Sequence, residues 1–184
     1  VFDFVIFKNR KFTKKNIDDR IILLLSTSGT TGTYKWAKIS KDNLISNISK
    51  ILKKLNIFSS DSTITTLPFE YSYGLSVINS HIYSKARVVF TKKSIVEKKF
   101  WEILKKNKIT NFNGVPFIYE ILRKIKFEKI IKNTSLKFFT QAGGFLHPDL
   151  HKKIYASLNS LNIKFHPMYG ATEAGPRITI CEDD

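Results

Sequence analysis

Short apolar runs alternate along this chain with amphipathic stretches of helical period, and the connections between the runs are too long for hairpins. Strand-like segments fall at residues 21–25 (IILLL), 62–67 (STITTL), 87–91 (RVVFT), 109–112 (ITNF), 136–140 (LKFFT) and 163–165 (IKF), with weaker candidates at 1–7 and 178–181. Between them, Leu44, Ile48, Ile51, Leu52 and Leu55 recur on one helical face, as do Ile95, Phe100, Ile103 and Leu104. Ser40 is placed to cap the first of these helices, and Ser94 with Glu97 reads as a capping box for the second. Further helices are expected over 75–83, over 116–125, where Pro116 suits a first turn, and over 148–158. Strands separated by helices in this way form a mainly parallel sheet flanked by helices, an α/β fold. The uninterrupted run at 21–25 reads as a strand of that sheet buried on both faces.

In such sheets ligands bind beyond the carboxyl ends of the strands. The unusual polar and glycine-rich segments of this chain follow that rule: 26–35, 68–74, 141–144 and 169–173 each come after a strand-like run. The first is the most informative. Residues 26–32 are seven consecutive Ser, Thr or Gly residues, and the stretch ends at Lys35. Gly29 and Gly32 free the backbone to turn its N–H groups toward an anion. Ser28, Thr30, Thr31 and Thr33 add hydroxyls, and Lys35 adds a mobile positive charge. A structural turn accounts for one glycine, whereas a polyphosphate-binding loop accounts for the whole stretch. It is not a Walker A loop, because Tyr34 precedes the lysine and Trp36 follows it.

Length and composition narrow the alternatives. The 184 residues suffice for one domain with a sizeable core, and 42% hydrophobic with 25% charged residues is a globular profile. No apolar run approaches the roughly 18 residues of a membrane span, so no membrane partner is expected. A lone cysteine, Cys181, excludes an internal disulfide and fits a reducing, cytoplasmic setting. The formal charge of +16 raises nucleic-acid binding. Its lysines, however, sit where outer helix faces should be (Lys50, Lys53, Lys54, Lys98, Lys99, Lys105, Lys106, Lys152, Lys153), and no aromatic–arginine platform accompanies them. Solvated faces are the expectation, and no nucleic-acid partner. His81, His147, His151 and His166 show no ligand spacing, and nothing in the spacing assigns a ligand to Arg177.

Residues 28–35 (SGTTGTYK) resemble the signature loop of the adenylate-forming superfamily, which comprises acyl- and aryl-CoA synthetases, nonribosomal adenylation domains and luciferase. The family's usual pattern is Ser-Gly-Thr-Thr-Gly-x-Pro-Lys-Gly; here Tyr34 replaces the proline and Trp36 the final glycine. Three further segments match in family order. Residues 168–173 (MYGATE) resemble the Tyr-Gly-x-Thr-Glu motif, 141–144 (QAGG) the adenine-side segment, and 67–74 (LPFEYSYG) the aromatic segment beside the acyl pocket.

The resemblance implies that a carboxylate attacks the α-phosphorus of ATP, giving an acyl adenylate and pyrophosphate. The acyl group would then pass to coenzyme A or to the phosphopantetheine of an acyl carrier protein. It implies that Ser28, Gly29, Thr30, Thr31, Gly32 and Lys35 hold the phosphates and that Glu173 binds Mg²⁺. Thr172 would meet the α-phosphate, Tyr169 and Gly170 the adenine, and Gly143 and Gly144 would let the backbone approach the base. Tyr71, Asn113 and Gly114 would border a small carboxylic acid. Glu70 resembles the acidic residue with which amino-acid-activating members hold an ammonium group, so amino-acid activation is the alternative substrate class. A non-catalytic nucleotide-binding relative is the other alternative. The family's Thr-Gly-Asp segment and C-terminal domain with its catalytic lysine are not in residues 1–184, so the chain is expected to be the single nucleotide-binding domain of a longer enzyme, inactive alone.

Overall fold

The computed structural model describes residues 18–28 and 34–181. Strands β1 (Ile21–Ser28) and β2 (Tyr34–Ser40) pair antiparallel in a two-stranded ribbon, and α1 (Lys41–Leu55) follows directly. Next come β3 (Ser62–Ile64), α2 (Ser72–Tyr83), β4 (Arg87–Val89), α3 (Lys98–Lys106), β5 (Asn111–Gly114), α4 (Pro116–Lys124) and α5 (Phe127–Ile131). The described residues end with β6 (Phe138–Gln141), α6 (Pro148–Asn159), β7 (Lys164–Ala171) and β8 (Gly175–Ile180). Strands β3 to β8 form one sheet in the order β4-β3-β5-β6-β7-β8. All its pairs are parallel except β7–β8, which is antiparallel. The mainly parallel α/β fold is therefore as expected.

The ribbon corrects one expectation. Residues 21–25 belong to β1, which is neither part of the large sheet nor buried on both faces. Ile22 and Leu24 are 53% and 39% exposed, and they alternate with half-covered Ile21, Leu23 and Leu25. An uninterrupted apolar run does not reveal how many partners a strand has. Strand β2 has no apolar run to betray it: YKWAKIS is half charged or polar, and only its pairing from Ser28↔Tyr34 to Ile21↔Ser40 defines it.

Other boundaries shift for local reasons. Ser40 caps α1, accepting from the Asn43 N–H at 3.2 Å. The Ser94–Glu97 pair closes a turn ahead of α3 rather than capping it. The Ser94 N–H donates to Glu97 Oε1 at 2.8 Å, but the helix starts at Lys98 and Glu97 gives no side-chain cap. Strand β5 lies two residues later than 109–112, because the Ile109 N–H is still bonded to Leu104 O at the end of α3. Strand β7 runs on to Ala171, so Tyr169 and Gly170 lie within a strand instead of after one. Helix α5 had no counterpart in the sequence reading. The 1–7 segment lies outside the described residues.

The two faces of the sheet differ in chemistry. On one, Ile64, Phe112, Phe139 and Phe165 join Phe100 and Leu104 of α3, Leu122 of α4, and Ile154 and Leu158 of α6 in the main apolar core. Phe112 stacks on Phe139 at 4.9 Å. On the other face Phe138 packs against Ile51 and Leu55 of α1, but its neighbours toward α2 are polar. Asn113 Nδ2 donates to Thr63 Oγ1 and Asn111 Oδ1, and Thr140 Oγ1 donates to Asn113 Oδ1 at 2.6 Å. Tyr73 of α2 bonds Thr140 Oγ1 at 2.6 Å, and His81 of α2 bonds Asn111 at 2.9 Å. A buried polar layer persists only when its members are partnered, and these are. The lysines on α1, α3 and α6 are exposed.

Candidate functional site

The connection between β7 and β8 carries Thr172 and Glu173, and three neighbours fix it. Thr172 Oγ1 lies 3.2 Å from Ser72 Oγ at the start of α2. Asn47 of α1 donates to Arg177 O at 3.2 Å, and the same amide fills the space beside Gly175, whose φ of +117° suits glycine alone. A Cβ on Gly170 would fall 2.0 Å from Pro176 O, so glycine there lets β7 and β8 approach closely. The result is a turn held from three sides that presents a half-buried Thr172 and an exposed Glu173. Glu173 has no cationic partner among the described residues.

A 310 Å³ cavity lies where this turn meets the ribbon and the first two helices. Its wall includes Leu23 and Leu25 of β1, Asn43 and Lys50 of α1, Ser72 of α2, and Thr172 and Glu173. The ribbon that carries the hydroxyl-rich loop therefore stands over the acidic turn. Residues 29–33 lie outside the described residues, so of that loop's candidates Gly29, Thr30, Thr31 and Gly32 have no place in this geometry. Lys35 is the second residue of β2, lies opposite Thr27 and is exposed. Tyr169, 65% exposed, offers a ring face to solvent at the same sheet edge.

The adenine-side and acid-side candidates touch each other. Gly143 has φ +79°, and a Cβ there would fall 2.2 Å from Tyr71 Oη and 3.2 Å from Val115. Gly144 abuts Pro116 and accepts from Gln141 Nε2 at 2.9 Å. Burial pushes the Tyr71 phenol above its ordinary pKa, so it stays a neutral hydrogen-bonding group.

The structure does not bring every sequence candidate to this edge. The Asn113 side chain is committed to the polar layer beneath α2. The open side of Gly114 is filled by Tyr119 and Ile118 of α4, so its small size serves helix–strand packing. Glu70 lines a 740 Å³ cavity with Phe69, Phe90, Lys92 and Phe117, and Tyr71 is not part of its wall.

Three residues that sequence reasoning gave no site role, Asn47, Ser72 and Arg177, hold the acidic turn. Only their folded positions reveal it, since each is ordinary in its local pattern. His81 is buried; with Nδ1–H donating to Val77 O, Nε2 accepts from Asn111. Burial, helped by the Arg177 charge, lowers its pKa from 6.5 to about 4, so it is neutral at physiological pH.

Known proteins share this organisation. The chain is 29% identical over 157 residues to the acyl-CoA synthetase ALT10 of Alternaria alternata, covering 85% of this chain and 27% of that protein. It is 26% identical to the 2-succinylbenzoate–CoA ligase of Lactococcus lactis, covering 85% of this chain and 33% of the ligase. Among solved structures, o-succinylbenzoate coenzyme A synthetase of Bacillus subtilis in complex with ATP and magnesium superposes with a TM-score of 0.71 at 19% identity, over 86% of this chain and 32% of that one. The chain thus spans about a third or less of the length of these proteins. The family model for the AMP-binding enzyme matches residues 7–184, and on that match the chain belongs to the AMP-binding enzyme family.

Proposed function

We propose that this chain is the nucleotide-binding part of an enzyme that activates a carboxylic acid as its acyl adenylate and passes the acyl group to a thiol, coenzyme A or carrier-bound phosphopantetheine. The observation that carries the reading is the shared cavity between the β1–β2 ribbon and the turn bearing Thr172 and Glu173. It brings Leu23, Leu25 and Ile39 of the ribbon that leads into the hydroxyl-rich loop against the turn with the exposed carboxylate.

The donors fit Mg²⁺ and a triphosphate. Mg²⁺ is usually held by one or two carboxylates together with substrate phosphates, and Glu173 is an exposed carboxylate without a cationic partner among the described residues. When bound, the metal supplies charge neutralisation on the phosphates. The chain's own residues do the positioning. Lys35 and the 28–33 loop hold the leaving pyrophosphate, Thr172 donates toward the α-phosphate, and Tyr169 offers a stacking face. Tyr71 and Val115, pressed against Gly143, set the acid beside the adenylate. Holding two anions in line is most of what this reaction asks of a protein. The related synthetases act on CoA, and the Bacillus neighbour holds ATP and magnesium, in keeping with this assignment.

Acyl substrates are favoured over amino acids, because Glu70 lines a cavity to which Tyr71 does not contribute. The test is pyrophosphate release by the full-length protein against fatty, aryl, hydroxy and amino acids. Acid-dependent release with at least one non-amino acid is expected. Mg-ATP binding with no acid-dependent release would instead identify a non-catalytic relative. The 184-residue chain alone is expected not to turn over.

A further inference from the structure

Arg177 is 3% exposed and has no carboxylate partner among the described residues. Its Nε and Nη2 donate to Ser76 Oγ at 3.0 and 2.9 Å, and Nη2 also reaches Ser76 O at 2.7 Å and Ser80 Oγ at 2.9 Å. Nη1 is buried with no hydrogen-bond partner among the described residues. Burial lowers its pKa to about 10, so it remains charged at neutral pH. Burying an uncompensated guanidinium is costly, and a chain seeking only stability would place an apolar residue here.

The placement explains the charge. Arg177 lies four residues beyond Glu173, at the root of β8. Ser76 and Ser80 lie one and two turns along α2 from Ser72, which itself bonds Thr172. The residue before α2 is Tyr71, pressed against Gly143. Helix α2 is therefore a bar with an acid-side residue at its tip and two fastenings to the acidic turn along its length. The planar fork of arginine grips two serines of one helix face together, which a lysine ammonium does less well.

We propose that Arg177 is a positioning residue: by clamping β8 to α2 it fixes Thr172 and Glu173 relative to Tyr71, so that metal, nucleotide and acid share one frame. This rests on the nucleotide-side reading of Thr172 and Glu173. The test uses full-length protein with Arg177→Gln, Arg177→Lys, the milder Ser80→Ala, and Glu173→Gln, each read for kcat, acid KM, half-saturating Mg²⁺ and melting temperature. Displacing the turn should lower kcat on the order of 10- to 100-fold in Arg177→Gln. It should raise half-saturating Mg²⁺ several-fold and leave acid KM nearly unchanged. Arg177→Lys should recover part of both effects. Should Arg177→Gln not fold, Ser80→Ala should still shift the Mg²⁺ midpoint. Variants that lose only melting temperature, with kcat and Mg²⁺ midpoint intact, overturn the proposal. Unchanged Mg²⁺ dependence in Glu173→Gln overturns the underlying reading and the proposal with it. A changed dependence there, with Arg177 variants unaffected, overturns the proposal alone.

Discussion

Replacing Gly143 with alanine tests whether the acid-side and nucleotide-side segments press on each other. The added Cβ would stand 2.2 Å from Tyr71 Oη, closer than real atoms approach, and 3.2 Å from Tyr71 Cζ and from Val115. The backbone is left-handed at φ +79°, which penalises a residue with a Cβ by about 1–2 kcal/mol. Forcing the phenol aside adds an overpacking penalty of about 1–3 kcal/mol. Removing Oη by Tyr71→Phe leaves 3.2 Å as the nearest approach, which small shifts accommodate. Gly143→Ala should therefore destabilise the full-length protein by about 2–5 kcal/mol in urea unfolding. It should also raise the acid KM roughly tenfold, equivalent to about 1.4 kcal/mol. Adding Tyr71→Phe should recover the packing part and leave the backbone part. Strictly additive effects of the two substitutions, in both stability and KM, would refute the contact.

His81 makes a pH prediction. Its pKa falls from 6.5 to about 4 on folding, so between those values the unfolded state holds a proton that the folded state lacks. Stability present above pH 6.5 should decline by about 3 kcal/mol as pH falls to 4; unfolding free energies of His81→Gln and of the parent at pH 7 and 4.5 should differ by that titration. Phe139→Ala, in the centre of the apolar core, should cost about 3–5 kcal/mol in the same assay. Ser40→Ala should cost about 1 kcal/mol by removing the α1 cap, read as a lowered midpoint with an unchanged slope.

The sheet could be read from the sequence because its strands are short apolar runs bounded by helices of clear period. What failed was partner number and register. The leucine run of β1 looks the same whether one strand or two flank it, and β2 hides among lysines and a tryptophan that is 60% exposed. The acidic turn and Tyr71 were legible as motifs, since rare residue types recur there at close spacing. Asn47, Ser72 and Arg177 were not, because their roles come from contacts spanning 100 residues or more that no local pattern encodes. Asn113 misled because a strand-end asparagine reads equally well as a pocket residue or as a member of a buried network, and burial decides.

Calorimetric titration of full-length protein with ATP, with and without Mg²⁺, tests the shared nucleotide site most directly when repeated on Lys35→Met and Glu173→Gln. The expected outcome is that Lys35→Met weakens ATP binding under both conditions, whereas Glu173→Gln removes the strengthening that Mg²⁺ gives. An undiminished Mg²⁺ enhancement in Glu173→Gln, or ATP affinity indifferent to Lys35, would mean that the ribbon and the acidic turn do not serve one triphosphate.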